Sequence, residues 1–193
     1  MSIFQFKQGL TDLRELEGVI RIPLGIAATP FYLTRLDQAL VVWGLVTAAI
    51  FFVAQAYWVD WYTQALVWSV LSAVAVALAG QLTWRWVSVR NQRWILYVWS
   101  ALVVAGLALT DYGIFASWVP VLRNLCSLWL GLSALGYVMT GVGIHAPAMV
   151  LMGGIHGGAI ALLDLFPRYQ FLFTGGVMTA SLFCLALFHW EHR

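Results

Sequence analysis

From about residue 38 to the C-terminus, apolar runs of about 20 residues alternate with short polar breaks. A helix needs about that length to cross a bilayer, because backbone groups in hydrocarbon must satisfy one another. Six runs qualify: 38–58, 63–84, 94–115, 119–140, 146–166 and 170–190. The pattern predicts an all-α integral membrane protein, a bundle of six transmembrane helices. The links are short, so successive spans are expected to be antiparallel neighbours. The first three and last three spans share no motif, so an inverted repeat is not expected.

The chain ahead of the first span has a different pattern, which divides it into an N-terminal segment, 1–35, and a six-span domain, 36–193. Leu10, Leu13, Leu16 and Ile20 recur at helical spacing after a potential cap at Thr11, with Glu17 and Arg21 as an i, i+4 pair. Pro23 ends this helix. A short apolar run to Leu33 follows, and Thr29-Pro30 reads as a cap and first-turn proline. The expectation is an amphipathic helix on the cytoplasmic interface. Docking on a partner protein is the competing use of its apolar face.

Composition agrees with the spans. The 193 residues are 62% hydrophobic and 9% charged, against about a quarter charged in a soluble domain. A net charge of +2 is too small for a nucleic-acid partner. Basic residues set the orientation, because Lys and Arg are retained in the cytoplasm. Lys7, Arg14, Arg21, Arg35, Arg85, Arg90, Arg93 and Arg193 fall on one side, against Arg123 and Arg168 on the other. Both termini are therefore expected in the cytoplasm, in a bacterial-type cytoplasmic or thylakoid membrane. Trp58, Trp61 and Trp118 mark the outer interface and Trp84, Trp86, Trp94 and Trp190 the inner one, while Trp43, Trp68, Trp99 and Trp129 lie deeper, as packing or lipid-facing residues. The first twenty residues lack a continuous apolar core, so no cleavable signal is expected. Cys126 and Cys184 read as small hydrophobic residues.

The fifth span contains "GGIHGG", in which Gly153, Gly154, Gly157 and Gly158 form two overlapping small-x-x-x-small patterns. Small residues let helices approach closely in lipid. Gly176 with Ala180 and Cys184, and Ser69 with Ala73 and Ala77, offer similar faces. His156 lies about 60° from Gly153 and about 100° from Gly157 around the helix, beside the small-residue face. A neutral imidazole satisfied by a neighbouring helix is the expected state, with Ser127, Ser133, Tyr137 and Thr179 as candidate partners. The opposing reading is functional, because ionisable residues at mid-membrane often are.

Near the outer ends of their spans, Asp111, Arg123, Asp164 and Arg168 are expected to gather, either as a binding vestibule or as paired interfacial charge. At the inner ends, His145, His189 and His192 with Glu191 form a weak candidate metal set. Solvated side chains at span ends are the plainer reading, and no metal or cofactor is expected. His145 and His156 are about 16 Å apart along the axis and cannot ligate one haem.

Gly131-Leu132-Ser133-Ala134 and the histidine of "GGIHGG" superficially resemble the rhomboid proteases, which use a membrane Ser-His dyad. The pattern departs in its essentials: no glycine directly follows Ser133, no whole span separates serine from histidine, and no His-rich element precedes them. Proteolysis is not expected. The first functional reading is a non-enzymatic accessory subunit that stabilises a larger membrane complex, with a membrane protein partner or a second copy and the lipid bilayer as its contacts. The alternative is a small channel or carrier, and the third a haem- or metal-bearing redox protein.

Overall fold

The computed structural model describes residues 5–6, 19–22, 31–57 and 59–189. Three short strands, β1 (Gln5–Phe6), β2 (Ile20–Ile22) and β3 (Phe31–Leu33), precede the helices α1 (Arg35–Ala56), α2 (Trp61–Val89) and α3 (Arg93–Phe115). A five-residue helix, α4 (Val119–Arg123), leads into α5 (Leu125–Gly143), α6 (Pro147–Leu162) and α7 (Gln170–Leu187), and β4 (Phe188–His189) follows. The helices α1, α2, α3, α5, α6 (with its 3-10 extension to Leu165) and α7 are each long and apolar enough to cross a membrane.

Local chemistry starts these helices where the polar breaks fall. Thr34 caps α1 in a reciprocal box with Asp37, whose carboxylate accepts from the Thr34 N–H at 2.8 Å. Asp60 caps α2 by accepting from the Thr63 N–H at 2.9 Å. Pro120 and Pro147 occupy first turns, where a missing N–H costs nothing. Asn91, Ser117 and His145 adopt positive φ in the tight links after α2, α3 and α5.

The helices close into a ring. α1 packs against α2 and α7, α2 against α3, α3 against α5, and α6 lies along α5 while also meeting α7. Two of these seams interlock reciprocally. Trp99 of α3 lies over Gly136 of α5 and donates its indole N–H to Thr140 at 3.0 Å; Trp129 of α5 lies over Gly106 of α3 and donates to Thr110 at 3.2 Å. Each receptor is a glycine followed four residues later by a threonine, which stacks a socket and an acceptor on one helical face. On the α1–α7 seam, Phe183 fills the space over Gly44, and Phe51 the space over Gly175. The sockets work by size: a Cβ at Gly136 would stand 2.8 Å from the Trp99 ring.

Away from the seams the apolar surface turns outward. Leu66 and Val70 of α2 are 61% and 63% exposed, an apolar girdle suited to lipid rather than water.

Four expectations change. Ile20–Ile22 is a strand paired with Phe31–Leu33, in the register Ile20 to Leu33 and Ile22 to Phe31. Ile20 and Arg21 are thus not the last turn of a helix, and Phe31 is not in the helical turn expected after Thr29-Pro30, because both stretches are extended and pair antiparallel. The remainder of the expected amphipathic helix, from Thr11 to Glu17, lies outside the described residues. The fourth span begins at Leu125, since the chain breaks at Asn124, whose side-chain amide donates to the Pro120 carbonyl at 2.9 Å. The last span ends at Leu187, because Phe188 and His189 extend to pair with Phe6 and Gln5.

Candidate functional site

Two faces of α6 meet different surroundings. Met149, Met152, Gly153, His156 and Ala159 are buried, at spacings of three and four, whereas Gly154, Gly157 and Gly158 are exposed. Gly153 is locked against α5, where an added Cβ would fall 2.5 Å from Val138 and 3.0 Å from the Ala134 carbonyl. At Gly154, Gly157 and Gly158 a Cβ would meet nothing within 4 Å. So the four glycines do not act as one packing face: within the fold only Gly153 does. The same holds on α7, where Gly175 receives Phe51 and Gly176 stands open.

His156 is fully buried. Its Nδ1 lies 2.8 Å from the Met152 carbonyl, one turn back on the same helix. A carbonyl only accepts, so Nδ1 carries the proton and donates. In the neutral ring Nε2 is then a bare lone pair, and it is buried with no hydrogen-bond partner. Tyr137 of α5 lies against the imidazole, ring centroids 5.0 Å apart at 49°. Of the other expected partners, Thr179 donates to the Gly44 carbonyl at 3.4 Å. The histidine is therefore only half satisfied, by its own helix rather than by a neighbour, and this corrects the expectation.

His156 is among the residues that line a partly open cavity of about 420 Å³ between the helices, within the ~300–1,000 Å³ range of small-molecule pockets. Trp43, Trp99, Trp129, Tyr137 and Phe171 supply much of the lining. The interior is thus apolar, as expected of a dry bundle, but not close-fitting. The chain matches no protein-family model, curated protein or solved structure. Its site is read from geometry alone.

Ser133 lines the same cavity as His156. No hydrogen bond joins them, since Nε2 is unpartnered. The geometry thus gives the serine no base to activate it.

Asp111, Arg123, Asp164 and Arg168 share one end of the bundle, but no ion pair joins them among the described residues. Asp111 Oδ2 instead accepts from Ser69 of α2 at 2.7 Å, and Oδ1 is buried without a partner. Arg123 ends α4, Asp164 sits in the 3-10 turn after α6, and both are exposed. Arg168 contributes its backbone carbonyl, which accepts from Gln55 at 3.1 Å. At the opposite end, His145 is the exposed positive-φ residue of the α5–α6 turn. The side chains of His189, Glu191 and His192 lie outside the described residues. Among the described residues no three His, Cys, Asp or Glu side chains are grouped to hold a metal ion.

Sequence reasoning missed the cavity; it named Tyr137 as a candidate partner of His156, and the structure brings the two rings together without a hydrogen bond to Nε2. The glycine-to-threonine spacing that seats Trp99 and Trp129 was a readable signal for the α3–α5 seam. Nothing in residue order signals an empty interior.

Proposed function

We propose that the chain is a non-enzymatic polytopic subunit that stabilises a larger membrane assembly, docking through the outward face of α6 against a helix of another membrane protein or of a second copy. The observation that carries this reading is the division of the glycines. Gly153 is consumed inside the fold, while Gly154, Gly157 and Gly158 leave an open groove along the exposed side. Glycine costs helix stability relative to alanine, by about 1 kcal/mol per residue. Three on one exposed face make sense where a helix must come close.

Membrane placement follows the same reading. The α2–α3 link has Arg90 stacked on Trp86 at 4.9 Å and Arg93 on Trp84 at 5.2 Å, a basic and aromatic rim suited to a cytoplasmic interface. Pairing of β1 with β4 draws the N-terminal segment to the end of α7. The pairing brings the two terminal strands to one end of the bundle, and the basic rim supports the reading of that end as cytoplasmic; a bacterial-type cytoplasmic or thylakoid membrane is part of the same proposal.

The test is purification in a mild detergent, with the mass of the particle measured. The reading expects a self-oligomer or a stoichiometric partner, lost in Gly157→Leu/Gly158→Leu while the monomer keeps its unfolding temperature. A wild-type monomer without a partner, or an assembly indifferent to the double substitution, contradicts it.

A further inference from the structure

The opposite face of α6 carries a second, independent argument. His156 is fully buried, its Nδ1 proton is committed to Met152, and its Nε2 has no partner. A buried acceptor left unmade costs about 1–3 kcal/mol. A chain free to choose phenylalanine or leucine there would avoid that cost, and His156, covered by the Tyr137 ring, is among the residues that line the cavity.

The walls restrict what could satisfy it. Among the tryptophans of the lining, Trp99 and Trp129 already donate their indole N–H groups to Thr140 and Thr110, while the buried N–H of Trp86, near the C-terminal end of α2, has no partner. Each of those threonine oxygens already accepts one hydrogen bond. Lengthwise the cavity runs from Leu36 and Trp84 near one end of the bundle to Ala54 and Phe171 near the other. The shape suits an extended molecule. Asp111 is the one carboxylate among the described residues of its wall, at the C-terminal end of α3, with Oδ2 engaged by Ser69 and Oδ1 without a partner. At the height of His156, about 14 Å along α6 from Pro147, the wall offers a neutral acceptor, the hydroxyl of Ser133, which does not bond to it, and the phenol of Tyr137.

We propose that this cavity is a binding site for a lipid-soluble alcohol or phenol, whose hydroxyl donates to His156 Nε2 while its extended apolar body lies along the aromatic lining. The ligand class follows from the tautomer: a lone pair demands a donor, and apolar walls demand that the rest of the molecule be hydrocarbon or aromatic. A plain hydrocarbon or an ether fills the same space but leaves Nε2 unmet. This site does not depend on the proposed association, which uses the other face of the helix.

The test uses the full chain in phosphatidylcholine nanodiscs, photolabelled with a diazirine-bearing dodecanol and mapped by peptide mass spectrometry. Competition is measured with dodecanol and with dodecyl methyl ether, each expressed per lipid. Labels are expected on cavity residues such as Tyr137 and Trp129, with dodecanol about tenfold more potent than the ether, the effect of one hydrogen bond to a buried acceptor. In His156→Phe the two competitors should become equal. Gly80→Leu adds bulk at a position on the cavity wall where a Cβ meets nothing within 4 Å; it should reduce cavity labelling, with unchanged near-ultraviolet dichroism as the check that the fold is kept. Equal potency of alcohol and ether on the unmodified chain overturns the proposal and requires no variant. So does labelling confined to lipid-facing residues such as Leu66 and Val70. A visible absorption band lost in His156→Phe would also overturn it, by making Nε2 a metal ligand.

Discussion

The indole N–H of Trp99 donates to Thr140 Oγ1 at 3.0 Å, across the seam between α3 and α5. Trp129 and Thr110 repeat the bond in the opposite direction. Each indole therefore has its polar atom satisfied in an apolar interior, and each threonine has a reason to sit four residues after a glycine. Thr140→Val and Thr110→Val should each lower stability by about 0.6–2 kcal/mol, the range of hydrogen bonds between membrane helices. Gly136→Ala should cost more, about 1–3 kcal/mol, because its Cβ meets the Trp99 ring. Unfolding in mixed micelles with graded denaturing detergent measures all three.

The two faces of α6 predict opposite responses to one substitution. Gly153→Ala pushes a methyl into Val138 and the Ala134 carbonyl, and should destabilise the monomer by about 1–3 kcal/mol. Gly158→Ala enters open space and should be neutral or stabilising by up to about 1 kcal/mol. Thermal unfolding of the two variants side by side checks the sign. Equal losses would show that both positions are packed.

At the charged end of the bundle, coupling should follow the hydrogen bond rather than the charges. A double-mutant cycle on Ser69→Ala and Asp111→Asn should give an interaction of about 0.6–2 kcal/mol. Arg123→Gln and Asp164→Asn, both at exposed positions, should each change stability by less than about 0.5 kcal/mol. A large coupling between Arg123 and Asp164 would restore the paired interfacial charge that residue order suggests.

Asp60 makes the start of α2 sensitive to acid. The backbone N–H of Thr63 holds its carboxyl below the usual carboxylate range. A depressed value in the folded state stabilises the helix start above the ordinary carboxylate pKa, and this is lost as pH falls through the depressed one. Hydrogen exchange of the first turn of α2 should therefore quicken, beyond its intrinsic rate, only as pH falls below the ordinary carboxylate range. Asp60→Ala should remove that pH dependence while leaving the centre of α2 protected.

Six runs of apolar residues sufficed to locate the helices, because the bilayer requirement acts on each run alone. The ends were less legible where a tertiary partner decides them. Asn124 breaks the fourth run through a bond to Pro120, and Phe188 leaves the last helix to pair with Phe6. Glycine spacing showed that α6 has a small-residue face. It could not show which glycines face inward, since that depends on where α5 lies. His156 was recognisable as unusual from residue order, but its hydrogen bond to Met152 and its open Nε2 arise from a rotamer and a cavity, neither of which a one-dimensional pattern encodes. For Asp111, residue order suggested arginine or aspartate neighbours, whereas its partner is a serine on the preceding helix.

The tautomer of His156 is the most direct test, because the ligand site rests on which nitrogen holds the proton. Nitrogen-15 solid-state NMR on histidine-labelled protein in lipid bilayers, with His156→Gln to assign the signal, reads it directly. A proton on Nδ1 and an unprotonated Nε2, with the Nε2 resonance moving when dodecanol is added, is the predicted result. A proton on Nε2, or on both nitrogens, would contradict the account.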